Sequence, residues 1–509
     1  MASRYPALSA FLQHSTATYH IVSQPQLAQL RSGALAWYDT SRRRLPWRGD
    51  EPPFTGSTTK ASRAVAVAAG AARSVTAYEV WVSEIMCQQT RVEAVIPYWL
   101  AWMQAFPTVE TLAAATPEQV NARWAGLGFY RRARMLHEGA QQVVAEFGGR
   151  VPGTVEELLR LKGVGRYTAG AIASISFGVA APIVDGNVLR VLSRLCAVSA
   201  HVKRPEYCGD GKLAWQLAQQ LVEAGGERPG DLNQALMELG ATLCAPDGSG
   251  VDPLDPLAPF YRSTEIGRDV FRAHADGQLE GLLAGRHGEH ECPVCAKGAV
   301  KFIQGLQLIA EGAADAEAAA AAVHATLPLP VPKKAKRQER LAVAALHREA
   351  TLDAGTTWLL IKRPDGGLLA GQWEFPAAVV ATHPSQETDD PGAQVRTEAV
   401  DALLASAGIE PGALQGRCVV ALPVQHLFSH VRHVMHIEHA CAPEGAEEAG
   451  APWTQDGRTL CWATAEWMAT VGVTAGVKKV IAQLVPTPKR KRKAKEYPGQ
   501  QSLQSFFKS

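Results

Sequence analysis

No stretch of this chain is apolar for long enough to cross a membrane. One uncharged run, Tyr167 to Val184, is rich in Gly, Ser and Ala and broken by Pro182, and reads as a buried helix followed by an extended piece. Net charge is scarce too: Lys+Arg 51 against Asp+Glu 49 leaves +2, so overall charge does not announce a polyanionic partner. A disulfide framework is missing. Nine cysteines are scattered along 509 residues, and Cys292-Pro-Val-Cys295 is the only close pair, a usage that suits a reducing compartment. Acids are absent before Asp39, so residues 1–34 read as a flexible leader, either a transit peptide or a disordered start.

What is present points to several domains, because 509 residues exceed one core. Bases cluster at Lys333, Lys334, Lys336, Arg337 and Arg340, and again from Lys489 to Lys495. Residues 35–310 carry a helical pattern with stops at Gly and Pro, interrupted by a low-complexity insertion at 49–76 and an irregular one at 246–290. Within it, Asn187 is placed to cap a helix whose apolar face holds Val188, Leu192 and Leu195. Residues 311–340 read as a linker. Beyond it, Leu341–His347, Thr357–Lys362, Cys418–Leu422 and Val431–Glu438 read as strands and Thr397–Ser406 as a helix, an α+β domain over 341–485. Residues 486–509 form a basic, disordered tail.

The segment richest in chemistry is Leu161-Lys162-Gly163-Val164-Gly165-Arg166-Tyr167, followed by Val184-Asp185-Gly186-Asn187. Two helices joined by a Gly-x-Gly turn aim backbone N–H groups at an anion, and the glycines permit close approach of a phosphate. Such a contact holds duplex DNA without reading its sequence. Alone, the turn is weak evidence; a carboxylate about twenty residues on, before a new helix, makes the pattern far more specific.

With Leu45-Pro46-Trp47, Trp81-Val82-Ser83-Glu84-Ile85-Met86-Cys87-Gln88-Gln89-Thr90 and Gly126-Leu127-Gly128-Phe129-Tyr130-Arg131, these motifs resemble the helix-hairpin-helix DNA glycosylases, and within them the MutY-type adenine glycosylases of eukaryotes. The resemblance implies a multidomain protein: an all-α helix-hairpin-helix domain plus an α+β Nudix-like C-terminal domain. It implies excision of adenine opposite 8-oxoguanine or guanine in double-stranded DNA. Glu84 is then the general acid that protonates the leaving base, and Asp185 the carboxylate that stabilises the cationic sugar. Gln88, Gln89, Phe129, Tyr130, Lys162, Gly163, Gly165, Tyr167 and Asn187 are the DNA-contacting positions, with Gln89 and Phe129 at the wedge and intercalation sites of a flipped base. Phe129 stands where the family usually has tyrosine. The strand-cutting relatives carry a lysine at the position of Tyr167, and tyrosine forms no Schiff base, so a monofunctional enzyme is expected. The alternative reading is an endonuclease III-like glycosylase/lyase for oxidised pyrimidines.

The family usually closes its helical domain with C-x6-C-x2-C-x5-C around a [4Fe–4S] cluster. Cys244, Cys292 and Cys295 match three ligands; Lys301 occupies the fourth place, leaving His290 or His287 as substitutes and Cys208 as a remote one. A cluster, a zinc ion and no metal are the three outcomes. The later domain resembles the family's lesion reader through Gly367–Pro376 and Phe428-Ser429-His430, and its helix is too poor in carboxylates for a Nudix hydrolase. Gln500, Leu503, Phe506 and Phe507 match the short motif that docks on the sliding clamp. No membrane partner is expected. The basic run that precedes the clamp motif suits a nuclear protein, and the acid-free start keeps the mitochondrion as a second location.

Overall fold

The computed structural model describes residues 4–55, 73–246, 251–284, 291–331, 337–348, 355–364, 369, 371–383, 392–428, 431–445 and 447–485. The chain forms two units, Met1–Lys333 and Lys334–Ser509. The expected clamp motif, His287, His290, Ser429 and His430 lie outside the described residues.

The first unit is helical and has two cores. One is built on Trp81, Trp102 and Trp124, all fully buried, the other on Leu8, Phe11, Leu27 and Leu192. Helix Ala77–Met86 begins at a capping box in which the Thr76 side chain accepts from the Glu79 N–H and the Glu79 carboxylate accepts from the Thr76 N–H at 2.8 Å. Helix Arg166–Phe177 starts at Gly165 and is closed by Gly178 in the left-handed region, φ 68°. Helix Gly186–Leu195 is capped by Asp185, whose Oδ1 accepts the Val188 N–H at 2.8 Å. The cap is therefore Asp185 and not Asn187, because the residue that supplies the cap must reach the backbone three positions on.

Three boundary expectations are corrected. Residues 4–34 are no loose leader: helix Pro6–Gln13 and the first part of helix Gln24–Ser41 bury Leu8, Phe11, Leu27 and Leu30. Scarcity of acid masked an apolar face at helical spacing. The stretch 311–340 is only partly linker, since helix Ala316–Thr326, capped by Asp315, packs on helix Arg262–Ala275. Gly267 lets the two backbones meet, as a Cβ there would stand 2.5 Å from Ala320 Cα. Alanine-rich sequence thus serves close helix packing here. Helix Arg262–Ala275 itself replaces the irregular structure expected within 246–290, with Ile266, Val270 and Ala273 buried at a helical interval.

The second unit is a nine-stranded sheet: β1 (Arg337–Arg348), β2 (Thr357–Lys362), β3 (Trp373–Glu374), β4 (Ala377–His383), β5 (Gln415–Val419), β6 (Val424–Leu427), β7 (Val431–Cys441), β8 (Trp453–Gln455) and β9 (Arg458–Ala463). The order is β5-β7-β1-β2-β9-β8, with β3 on β2, β4 on β1 and β6 on β7. β1 and β7 run parallel from Arg337↔Val431 to His347↔Cys441; the remaining pairs are antiparallel. Leu341, Val343 and Ala345 of β1 enter one core, and Ala342, Ala344 and Leu346 the other. A strand covered on both faces has no polar alternation, which explains the continuous apolar run. Helix Ala393–Ser406 contributes Val400 and Leu404 to one face, and helix Ala475–Leu484 contributes Val477 and Val480 to the other. The expected strand at Cys418–Leu422 lies earlier, at Gln415–Val419; Leu422 is exposed and outside it.

Candidate active site

Helices Ala77–Met86, Arg166–Phe177, Gly186–Leu195 and Pro229–Ala241, with the segment Arg43–Arg48, surround an open cavity of about 990 Å³. Glu84, Gln88, Gln89, Tyr167, Asp185 and Asn187 all line it, so one site gathers residues more than 100 positions apart.

The two carboxyls are held differently. The Tyr167 hydroxyl donates to Glu84 Oε2 at 2.6 Å. Burial pushes Glu84 up to about 7, against the hydrogen bond from Tyr167; the neighbouring Asp185 charge pushes the same way as burial, and Arg48 opposes it. Burial also raises Asp185, but the Val188 N–H, the Asn187 side-chain amide and the Asn187 N–H all stabilise its charged form. The Asn187 amide donates to Asp185 Oδ2 at 2.9 Å, and Arg190 donates to Asn187 Oδ1 at 2.8 Å. Asn187 thus orients Asp185. An acid that keeps its proton near neutrality beside a carboxylate held by N–H donors is the arrangement that acid-assisted cleavage of a glycosidic bond needs.

Sequence reasoning missed the far wall. Glu238, 1% exposed, accepts from Arg43 Nε at 2.6 Å and from Arg48 Nη2 at 2.9 Å. Burial alone would raise this carboxyl, yet Arg48 and Arg43 hold it down at about 2. Arg42 pairs with Asp50 at 2.5 Å, and the Leu45 N–H donates to the same carboxylate at 2.9 Å. These contacts fix Leu45 and Trp47 on the cavity wall. The arginines flanking Leu45-Pro46-Trp47 were a usable signal, but Glu238 sits 190 residues from Arg48 and only folding pairs them.

Residues 82–208 match the HhH-GPD superfamily of base excision DNA repair proteins, and residues 350–483 match the NUDIX domain. The adenine DNA glycosylase of Homo sapiens is 36% identical over 523 aligned residues, covering 98% of this chain and 84% of the relative. The Mus musculus protein of the same description is 35% identical, with 97% and 88% covered, and that of Schizosaccharomyces pombe is 32% identical, with 83% and 84% covered. The chain belongs to the adenine DNA glycosylase family.

As in the motif that marks this family, the hairpin turn holds Gly163 at φ 78°, where a Cβ would come within 2.6 Å of Met135 Cβ. Gly165 opens the following helix with free space around it. Lys162 is exposed and pairs with Glu138 at 3.3 Å. Gln89 and Phe129 share an unusual trait: both are non-glycine residues at positive φ, 55° and 49°, and Phe129 is 57% exposed. Gln89 is exposed as well, so both positions expected to extrude a base combine a sparsely populated backbone conformation with an exposed side chain. Tyr130 differs, being half-buried with its hydroxyl accepting the Gly126 N–H at 3.3 Å.

The expected metal set is corrected. The donor atoms of His14, His20, Cys292 and Cys295 lie within 4.8 Å of one another. His20 Nε2 stands 3.7 Å from Cys292 Sγ and 3.4 Å from Cys295 Sγ, while its Nδ1 meets the Cys196 carbonyl at 2.8 Å. His14 Nδ1 meets the Phe11 carbonyl at 2.6 Å. Cys244 stands outside the group: it is buried, and its Sγ accepts from Arg194 at 3.2 Å. Cys208 is outside it as well. A [4Fe–4S] cluster takes four thiolates in its usual form, and two thiols with two imidazoles do not fit it. The histidines escaped notice because they lie about 270 residues before their cysteine partners, in the supposed leader.

In the second unit Phe428 is half-buried, its ring 4.4 Å from that of His426 and 4.9 Å from that of His433. Its N–H donates to the Val431 carbonyl at 2.9 Å, closing the chain on both sides of residues 429–430. Asp401 and Glu438 are both engaged by Arg417, at 2.6 and 2.7 Å.

Proposed function

We propose that this protein hydrolyses the N-glycosidic bond of adenine mispaired with 8-oxoguanine or guanine in duplex DNA, leaving the strand uncut. The observation that carries the reading is the Glu84–Asp185 pair in one cavity, with Glu84 raised to about 7 by burial and Tyr167 on its Oε2. Glu84 donates its proton to a ring nitrogen of the extruded adenine, so the C–N bond breaks with its electron pair leaving on a neutral base. Asp185 stabilises the oxocarbenium-like sugar until water adds to the anomeric carbon and a proton departs to the bulk. Tyr167 presents a phenol where lyase chemistry would need an amine, which supports a glycosylase without strand scission. The direct test is single-turnover cleavage of duplexes with adenine opposite 8-oxoguanine, guanine, cytosine or thymine, followed by alkali. Strand breaks without alkali, or excision opposite thymine at the same rate, would overturn the assignment.

Phe428, Ser429 and His430 read the opposing lesion in this proposal. The tail residues Gln500, Leu503, Phe506 and Phe507 dock on a sliding clamp, in the nucleus and with the mitochondrion as second location. The metal that suits two imidazoles and two thiolates is a tetrahedral zinc ion, a structural tie between the N-terminal segment and Cys292-x2-Cys295. Elemental analysis of the purified chain then finds one zinc and no iron, and Cys292→Ser with Cys295→Ser loses the zinc; iron with sulfide absorption would refute this.

A further inference from the structure

Extruding a base costs unstacking and unpairing energy that the side chains entering the stack must offset, and in the function proposed above two backbone segments carry those side chains. Here those segments are the turn after helix Ala77–Met86, which carries Gln89, and the loop before helix Arg131–Phe147, which carries Phe129. Left-handed backbone at non-glycine residues persists only where the surroundings over-determine it. Those surroundings converge on one side chain. Arg132, 9% exposed, donates through Nη1 to the carbonyls of Ile85 (3.0 Å), Met86 (2.7 Å) and Gln88 (2.6 Å). Through Nη2 it donates to the carbonyls of Leu127 (3.4 Å) and Gly128 (3.1 Å) and to Thr90 Oγ1 (3.2 Å). One nitrogen thus grips the end of the Glu84 helix, and the other grips the loop that leads into Phe129.

Among the described residues no carboxylate pairs with this guanidinium. Carbonyls at a helix C-terminus carry partial negative charge and hold the cation in place of a counter-ion. The guanidinium carbon also lies 5.5 Å from the Phe129 ring centre and 5.2 Å from that of Trp124. A lysine has neither the planar fork nor the span to serve both segments.

We propose that Arg132 is a positioning residue for adenine extrusion, holding the Gln89 turn and the Phe129 loop at a set separation so that both enter the duplex as one unit. The proposal rests on Gln89 and Phe129 being the residues that enter. The test uses the full chain and single-turnover excision from two duplexes, one with adenine opposite guanine and one with adenine opposite an abasic-site analogue, where no partner holds the base in. Arg132→Gln is expected to slow excision from the paired duplex about tenfold or more, and most of that deficit should vanish on the unpaired adenine. Arg132→Lys should fall between, and it carries the same comparison if the glutamine variant does not fold. Glu84→Gln, a defect in chemistry, should be equally slow on both. Equal deficits for Arg132→Gln on the two duplexes would overturn the positioning role, as would a wild-type rate. Wild-type rates for Gln89→Ala and Phe129→Ala on the paired duplex would remove the assignment beneath it, independently of Arg132.

Discussion

Both units bury carboxylates, and they treat them in opposite ways. In the sheet unit, Glu438 (5% exposed) accepts from Arg417 and from Thr397, and Asp401 shares the same arginine. In the helical unit, Glu84 has a phenol for a partner, and its pKa climbs to about 7 under burial. The helical unit also contains its own control: Glu238, more deeply buried than Glu84, falls to about 2 because Arg48 and Arg43 outweigh burial. Which way a buried carboxyl shifts therefore follows whether a guanidinium pairs with it directly, not burial as such.

The sharpest test of this contrast is to remove the second carboxyl beside Glu84. Asp185→Asn keeps a good helix cap and should abolish detectable excision, with binding of lesion duplex retained in a gel-shift titration; normal single-turnover cleavage would expel Asp185 from the mechanism. Glu84→Gln should cost about 10²–10⁴-fold. Because the active form of Glu84 is protonated, the rate should fall as pH rises through about 7. Tyr167→Phe removes a hydrogen bond that favours the charged form, so that alkaline limb should move to higher pH, and a limb that stays put would separate Tyr167 from the acid.

The sheet unit is expected to contribute discrimination. Ser429→Ala combined with His430→Ala, or truncation near residue 335, should lower the preference for 8-oxoguanine over guanine by roughly 5- to 150-fold, from about 1–3 kcal/mol of lost hydrogen bonding. An unchanged ratio of excision rates would assign lesion reading to the helical unit. The smallest effect is expected at Arg417→Met, which strands Glu438 and should destabilise the sheet unit by about 1–3 kcal/mol in urea unfolding, leaving the rate opposite guanine unaltered. A large loss of that rate would show that the two carboxylate environments are coupled.

The elements legible in advance were those with local signals. Glu84 and Asp185 sit where their motifs placed them, and Thr357–Lys362 is a strand over the expected residues because its period and flanks agree. Helix Arg262–Ala275 and the N-terminal helices were not legible, since their apolar faces were obscured by low complexity or skewed charge. The loss was costliest at the candidate metal site. Cys292 and Cys295 carried a signal, but no spacing rule could call His14 and His20 to them.

Sequence alone singled out the residues on which the proposed chemistry rests: two carboxyls, Glu84 and Asp185, inside their motifs, the glycines of the hairpin turn, and a phenol, Tyr167, where the proposal needs no amine. Those follow from short motifs whose spacing is set by helix and turn geometry. Tertiary structure alone decided that Glu84 is pushed up to about 7, that Glu238 is held down at about 2, that two distant histidines stand beside the cysteine pair, and that Arg132 spans the Gln89 turn and the Phe129 loop. The physical reason is common to all four. Desolvation and charge pairing depend on what the fold brings within a few ångströms, and the partners are separated along the chain by tens to hundreds of residues.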